Sequence, residues 1–227
     1  MSKSRRYRLA CPVARALDRV GDRWALLILR DLHAGPARFS DLLSGLGGIA
    51  TNMLADRLQQ LMDDGLVERR LEAHGVTVYD LTELGGRTEQ LIFEMAMFGA
   101  LLPVDDEVRS PGNLRTIVIP MRVALRRVVP KDLKATVALR VDGEPFTIRI
   151  RDGDVSMKAG AAGTAADLDV DTSYEPLLAA SEGEMTPETF LKDHVQVRSR
   201  QPDLEKGVAS LFAEALRQMQ APPPAAP

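Results

Sequence analysis

Asn52, Ala55, Asp56 and Gln59 fall at the three- and four-residue steps that put side chains on one face of an α-helix. The amides of Asn52 and Gln59 donate and accept at once, which suits bidentate pairing with adenine. The carboxylate of Asp56 can accept from cytosine or orient its neighbour Arg57. Thr51 opens the same segment and is grouped with these contacts. The face is small and polar and lacks the Lys and Glu pairs of an ordinary solvated helix, as a helix entering the DNA major groove requires. Arg38, Arg57, Arg69 and Arg70 surround it and are assigned mainly to phosphates. Catalytic chemistry is poorly supplied. His33, His74 and His194 are scattered, and a single cysteine, Cys11, cannot build a structural zinc site. There is no phosphate-binding loop, dinucleotide fingerprint or nucleophile elbow, and Asp167 and Asp169 alternate onto one outer strand face that simply meets solvent. The residues therefore assign no catalytic group, no metal and no cofactor, and a non-enzyme is expected.

The elements that must position this face are legible in the surrounding pattern. Phe39, Leu42, Leu43 and Leu46 line one side of a short helix that Gly47 and Gly48 interrupt. A second helix follows, with Thr51, Leu54, Leu58 and Leu61 on its inner side, and Asp63, Asp64 and Gly65 end it. LVERRLEAHGVTVYDLT then reads as two alternating strands around a tip at Ala73, His74 and Gly75, with Arg69 and Arg70 on the hairpin. Two helices, a glycine turn and a basic hairpin make a winged helix-turn-helix, mainly α with a β wing. The competing reading is a generic small helical bundle with a hairpin.

The segment before it sharpens this reading. Cys11-Pro12, the run Gly21-Asp22-Arg23-Trp24-Ala25-Leu26-Leu27-Ile28-Leu29 and Gly35-Pro36-Ala37-Arg38-Phe39 resemble the opening of HxlR-type bacterial regulators. The likeness continues through Asp64-Gly65-Leu66-Val67 and Tyr79-Asp80-Leu81-Thr82 to Gly85, and covers about residues 11 to 100. Trp24, Leu27 and Ile28, with Leu17 and Val20, supply the apolar surface such a domain needs. The resemblance implies duplex DNA as partner and a homodimer in which the first and last helices of the domain pair across a twofold axis. Thr82 is read as the cap of that last helix, and Leu84, Leu91, Ile92, Met95 and Phe98 as its apolar positions. Cys11 matches a thiol that some HxlR-type regulators use to sense oxidants or electrophiles. At the N-cap before Pro12, near Arg8 and Arg15, unpaired backbone N–H groups would favour its thiolate; the alternative is a cysteine that only caps the helix and packs in a dimer seam.

Length and charge are compatible with two modest domains. The 227 residues carry a formal net charge of −3, which argues against indiscriminate nucleic-acid binding. Residues 1 to 30 nevertheless hold Lys3, Arg5, Arg6, Arg8, Arg15, Arg19, Arg23 and Arg30 against Asp18 and Asp22, a basic arm and first helix suited to tracking phosphates. No apolar run reaches the length of a membrane span and the start lacks a secretory core, so a cytoplasmic protein without membrane insertion is expected.

After Leu102 the pattern changes. PVDDEVRSPGN, residues 103 to 113, has linker composition, and the following chain alternates in three runs separated by Asp142-Gly143 and Asp152-Gly153. Ala166 to Thr172 forms a fourth run, Ser173 starts a helix with Leu177 and Leu178, and Thr186-Pro187-Glu188 starts another. A strand over Val195 to Arg198 and a helix through Leu204, Val208, Leu211, Phe212 and Leu216 follow; the Pro and Ala tail is expected to be disordered. The Asp-Gly turns, Ala166-Asp167-Leu168 before the Ser-capped helix, and Gly183-Glu184-Met185-Thr186-Pro187 with Phe190 resemble the sterol carrier protein family over about residues 115 to 219. Where that family has a Gly-Lys-Leu strand and a Gly-Asn or Gly-Asp turn, this chain has Lys192-Asp193-His194-Val195 and Ser199-Arg200-Gln201-Pro202. The resemblance implies an apolar cavity between sheet and helices, and so a long-chain or polycyclic lipid-like ligand; the plainer alternative is a core that holds nothing.

The expected organisation is a winged helix domain at 1–102, a linker at 103–114, an α+β sterol carrier-like domain at 115–220 and a tail at 221–227. The expected function is a homodimeric, sequence-specific transcription regulator modulated by a hydrophobic small molecule. The alternatives are a lipid-binding or lipid-transfer protein with an accessory winged domain, and an enzyme using the apolar cavity.

Overall fold

The computed structural model describes residues 7–72, 75–102, 113–163, 165–199 and 201–220. The N-terminal arm up to residue 6, the wing tip at Ala73 and His74, the linker over 103–112 and the tail over 221–227 lie outside them. Two compact units result: residues 7–92 with Asn113, and residues 93–102 with 114–220. The division falls inside a helix, ten residues before the boundary expected at 102.

The first unit is built from α1 (Pro12–Val20), α2 (Ala25–His33), α3 (Phe39–Gly45), α4 (Thr51–Asp63), β1 (Val67–Leu71), β2 (Thr77–Leu81), α5 (Glu83–Gly86) and the start of α6 (Glu89–Gly99). Ile28, Leu29 and Leu32 of α2, Leu42 of α3 and Leu54, Leu58 and Leu61 of α4 are almost completely buried and form its core. Each contributes about 1.5–3 kcal/mol relative to an exposed side chain. Leu17 departs from expectation, since 45% of it is exposed, and Trp24 is only half-buried beneath the guanidinium of Arg23, 5.3 Å above its ring. The helix α2 instead turns Leu29 and Leu32 inward. β1 and β2 pair antiparallel from Val67↔Leu81 to Leu71↔Thr77, and Ala37 adds one bridge to Tyr79.

The helix expected to start at Thr82 is broken in two. Thr82 caps α5, its hydroxyl oxygen accepting from the Gly85 N–H at 3.1 Å, and the chain restarts as α6 after Thr88. The break has local causes. A Cβ on Gly85 would lie 2.0 Å from the Leu66 carbonyl oxygen, so only glycine lets α5 approach that turn. The Thr88 hydroxyl donates to the Gly85 carbonyl at 2.7 Å, which leaves its lone pairs to accept from Nε2 of buried His33 at 3.0 Å.

After the rest of α6, the second unit continues with one 3₁₀ turn, Leu114–Ile117, and α7 (Val118–Val128), followed by β3 (Ala135–Val141), β4 (Glu144–Arg151), β5 (Asp154–Ala159), β6 (Leu168–Thr172), α8 (Tyr174–Glu182), α9 (Pro187–Asp193), β7 (Gln196–Ser199) and α10 (Pro202–Gln220). The sheet order is β5-β4-β3-β6-β7, antiparallel except where β3 and β6 run parallel. Asp142, Gly143, Asp152 and Gly153 all have positive φ, the geometry of tight hairpin turns. Val137, Leu139, Ile148, Met157 and Leu168 are buried on one sheet face, and α7 and α10 pack together within the helical layer. α7 has no counterpart in the sequence reading; Pro120 sits in its first turn, where the missing N–H is not needed. Buried Arg122 ties α7 to β5 by donating to the Met157 carbonyl at 3.2 Å. Ser173 is the N-cap of α8 without a side-chain cap bond, whereas Thr186 caps α9 by accepting from the Thr189 N–H at 3.2 Å. The unit is thus an α+β fold.

Candidate nucleic-acid interface

The geometry of α4 follows from its sequence. The three leucines of its inner side are buried, while Asn52, Ala55, Asp56 and Gln59 are exposed together. Thr51, expected on the inner side, is exposed at the first turn and joins that outer face. Its C-terminus closes by donation from Leu66 N–H to the Leu61 carbonyl and from Gly65 N–H to the Met62 carbonyl, both 2.9 Å, around Gly65 at φ +70°. This is a Schellman motif, and it launches β1 directly from the end of α4. Asn52 Oδ1 accepts from the Met53 N–H at 2.9 Å, and Gln59 donates to Asp63 at 2.8 Å, one turn on. Asp56 stands exposed with no side-chain partner among the described residues.

Arg57 points elsewhere. Neighbours on a helix do not share a face, so Asp56 does not orient it; its Nε lies 2.9 Å from Asp22 Oδ1 in an ion pair without hydrogen-bond alignment, and its Nη1 donates to Gln60. Asp22 Oδ1 also accepts from the Trp24 N–H at 2.9 Å, and Arg19 pairs with Asp64 at 2.8 Å. α4 is therefore held along its length by two ion pairs to the α1–α2 region, a bracing that no local pattern announces.

On the wing, Arg69 and Arg70 are successive strand residues and project to opposite faces. Arg70 pairs with Asp80, its diagonal neighbour across the ribbon, whereas Arg69 is exposed without a partner among the described residues. Arg38 is exposed at the N-cap of α3, where the Asp41 carboxylate accepts from its N–H at 3.0 Å. Cys11 is the N-cap of α1 and half-buried; its carbonyl accepts from the Arg15 N–H at 3.0 Å. Apolar side chains also remain outside: Val13 and Leu17 on α1, and Leu91, Met95 and Phe98 on α6.

Comparison with known proteins adds the decisive observation. The profile of the HxlR-like helix-turn-helix matches residues 19–103, and a curated HTH-type transcriptional regulator of Bacillus subtilis, YodB, is 35% identical over 106 residues, 45% of this chain and 89% of its own. The chain belongs to the HxlR-like family. An uncharacterized HTH-type transcriptional regulator of Escherichia coli, YtfH, is 39% identical over 90 residues, 38% of this chain and 70% of its own. The reduced form of YodB, a solved structure, is 31% identical and covers 43% of this chain and 100% of its own, with a TM-score of 0.38. By family, the HxlR-like part is a DNA-binding transcriptional regulator domain of the winged helix-turn-helix type, and these relatives are named as transcriptional regulators. No helix among the described residues is long and apolar enough to cross a membrane.

The second unit has an apolar hollow of its own. Leu139 and Val170 of the sheet, Leu177 of α8, Phe190 of α9 and Phe212 of α10 wall an empty space of about 520 Å³, open mouth included. Thr172 and Glu205 are the polar residues in this otherwise carbon-lined slot. A second hollow of about 440 Å³, reached by Thr116, Tyr174 and Ser181, shares Met121 and Leu177 with it as a common wall. Alternating strands and amphipathic helices signal a packed layer, but whether the layer closes or leaves a slot depends on tertiary fit that the sequence does not display.

Proposed function

We propose that the chain acts as a homodimeric, sequence-specific transcription regulator whose DNA affinity responds to a hydrophobic small molecule in the second unit. The observation that carries the DNA half is the exposed face of α4, where Thr51, Asn52, Ala55, Asp56 and Gln59 present amide, carboxylate and small side chains to the major groove. Arg38 and Arg69 hold phosphates first. Arg57 and Arg70 must release Asp22 and Asp80 before they can do so, and contribute less. The exposed apolar residues of α1 and α6 supply the dimer seam, and two α4 helices related by its dyad sit about 34 Å apart, one turn of duplex. Cys11, at the cap of α1, serves as an oxidant-responsive thiol.

The ligand half rests on the slot, together with the resemblance of this unit to sterol carrier proteins. The same slot favours the second reading, a lipid-holding protein with an accessory winged domain. Selection of bound duplexes from a random pool by the full-length protein separates them. An enriched inverted repeat with half-sites about one turn apart supports the regulator; binding that is weak and indifferent to sequence supports the second reading. Oxidation that leaves operator binding unchanged while Cys11 is fully modified removes the thiol role.

A further inference from the structure

Of the side chains that line the slot, Glu205 is the one that ionises. It lies in the first turns of α10, is half-buried, and has no side-chain partner among the described residues. Thr172, the lining hydroxyl, is already committed, donating to the His194 carbonyl at 3.0 Å. The positive end of α10 lies close to this carboxylate, and no described side chain pairs with it. An anionic head group brought to a carbon-walled slot beside Glu205 would place like charges together, whereas a cation there is attracted.

The slot's almost wholly carbon walls call for an apolar body in the rest of the ligand. The wall it shares with the second hollow includes Met121, whose unbranched thioether side chain can swing aside, so a chain longer than the slot has somewhere to continue. We propose that the slot takes a single-chain amphiphile with a cationic head, the chain lying between sheet and helices and the ammonium at Glu205. This rests on the reading of the second unit as a ligand holder, and it narrows the ligand to one charge type.

The test titrates full-length protein calorimetrically at neutral pH with dodecylamine, dodecanol and dodecanoate, each below its micelle threshold. Dodecylamine is expected to bind at least about tenfold more tightly than dodecanoate, with dodecanol between them. Glu205→Gln should bring amine and alcohol together, and Glu205→Lys should turn the preference toward dodecanoate; both replace a side chain that is only partly buried. Dodecanoate binding as tightly as dodecylamine, or a preference that survives Glu205→Gln, overturns the proposal. If all three chains bind alike, the ligand-holding role stands and the charge selection falls. If none binds, both fall.

Discussion

Asn113 Nδ2 donates to Asp31 Oδ2 at 2.7 Å, joining a residue at the end of the inter-unit segment to a carboxylate 82 positions earlier that is only 1% exposed. Arg30 holds the other oxygen through Nε and Nη2, both at 2.8 Å. Gly45 makes room for this clasp, since a Cβ there would come within 2.3 Å of Asn113 Nδ2. The first unit thereby keeps hold of the chain immediately before Leu114, where the second unit resumes.

Removing Asn113 leaves a buried carboxylate oxygen short of a donor. Asn113→Ala is expected to destabilise the first unit by about 1–3 kcal/mol. Gly45→Ala displaces the same amide, so the double substitution should cost less than the two singles added together. Denaturant titration of the full chain followed by Trp24 fluorescence measures both; strict additivity would dissociate Gly45 from the clasp.

For the reading helix, Asn52→Ala should cost about 1–3 kcal/mol at one adenine-containing position of the selected site and relax preference there. Arg69→Ala should weaken every duplex alike and flatten the dependence of log K on log salt by about 0.9. Arg70→Ala should do so less, because its charge is already shared with Asp80. Fluorescence anisotropy across a salt series distinguishes these outcomes, and a loss of discrimination without loss of affinity on Arg69→Ala would contradict the division of labour.

How much of this was legible in the sequence depended on whether its cause was local. The limits of α4 follow from leucine spacing and from Asp64-Gly65, and the Asp-Gly pairs locate both hairpins of the second unit. The division of the last winged-domain helix into α5 and α6 was not visible, because Gly85 answers a carbonyl contributed by Leu66 across the fold. Nor was the orientation of Arg57, since Asp22 lies 35 positions away in sequence. Asn113 reads as an ordinary linker residue until Asp31 is placed beside it. The apolar positions of α1 and α6 were readable as helical, but the exposure of Leu17 was not; it has the composition of a core residue and a position outside the core.

Those faces lead to a third expectation. Phe98, 64% exposed on α6, should lie in the dimer seam, so Phe98→Glu is expected to shift the protein toward monomer and to weaken operator binding in step. Analytical ultracentrifugation reads the first effect. A wild-type protein that sediments as a monomer at every concentration rules the seam out.

Acid should act on the second unit through Asp171. The hydrogen bond from Arg140, then that guanidinium's charge and the charge of Arg198, hold its carboxyl below the usual carboxylate range despite partial burial. Arg140 grips it at 2.5 and 2.8 Å, and Arg198 at 2.6 Å. Because the folded value is lowered, the stabilisation is present above the unfolded value of about 3.9 and is lost as pH falls through the folded one. The stability gap between wild type and Asp171→Asn should therefore narrow below about pH 4. A gap that stays constant through that range would show that the pair contributes nothing.

The one parallel pairing in the sheet also dictates an order of events. β3, β4 and β5 meet across two tight turns, so they can zip together while the chain is still open. β6 pairs with β3 only after the loop from Val137 to Leu168 has closed. The meander is thus the natural nucleus of the second unit, and substitutions at Asp142-Gly143 should slow its folding, whereas changes in β6 should mainly hasten its unfolding.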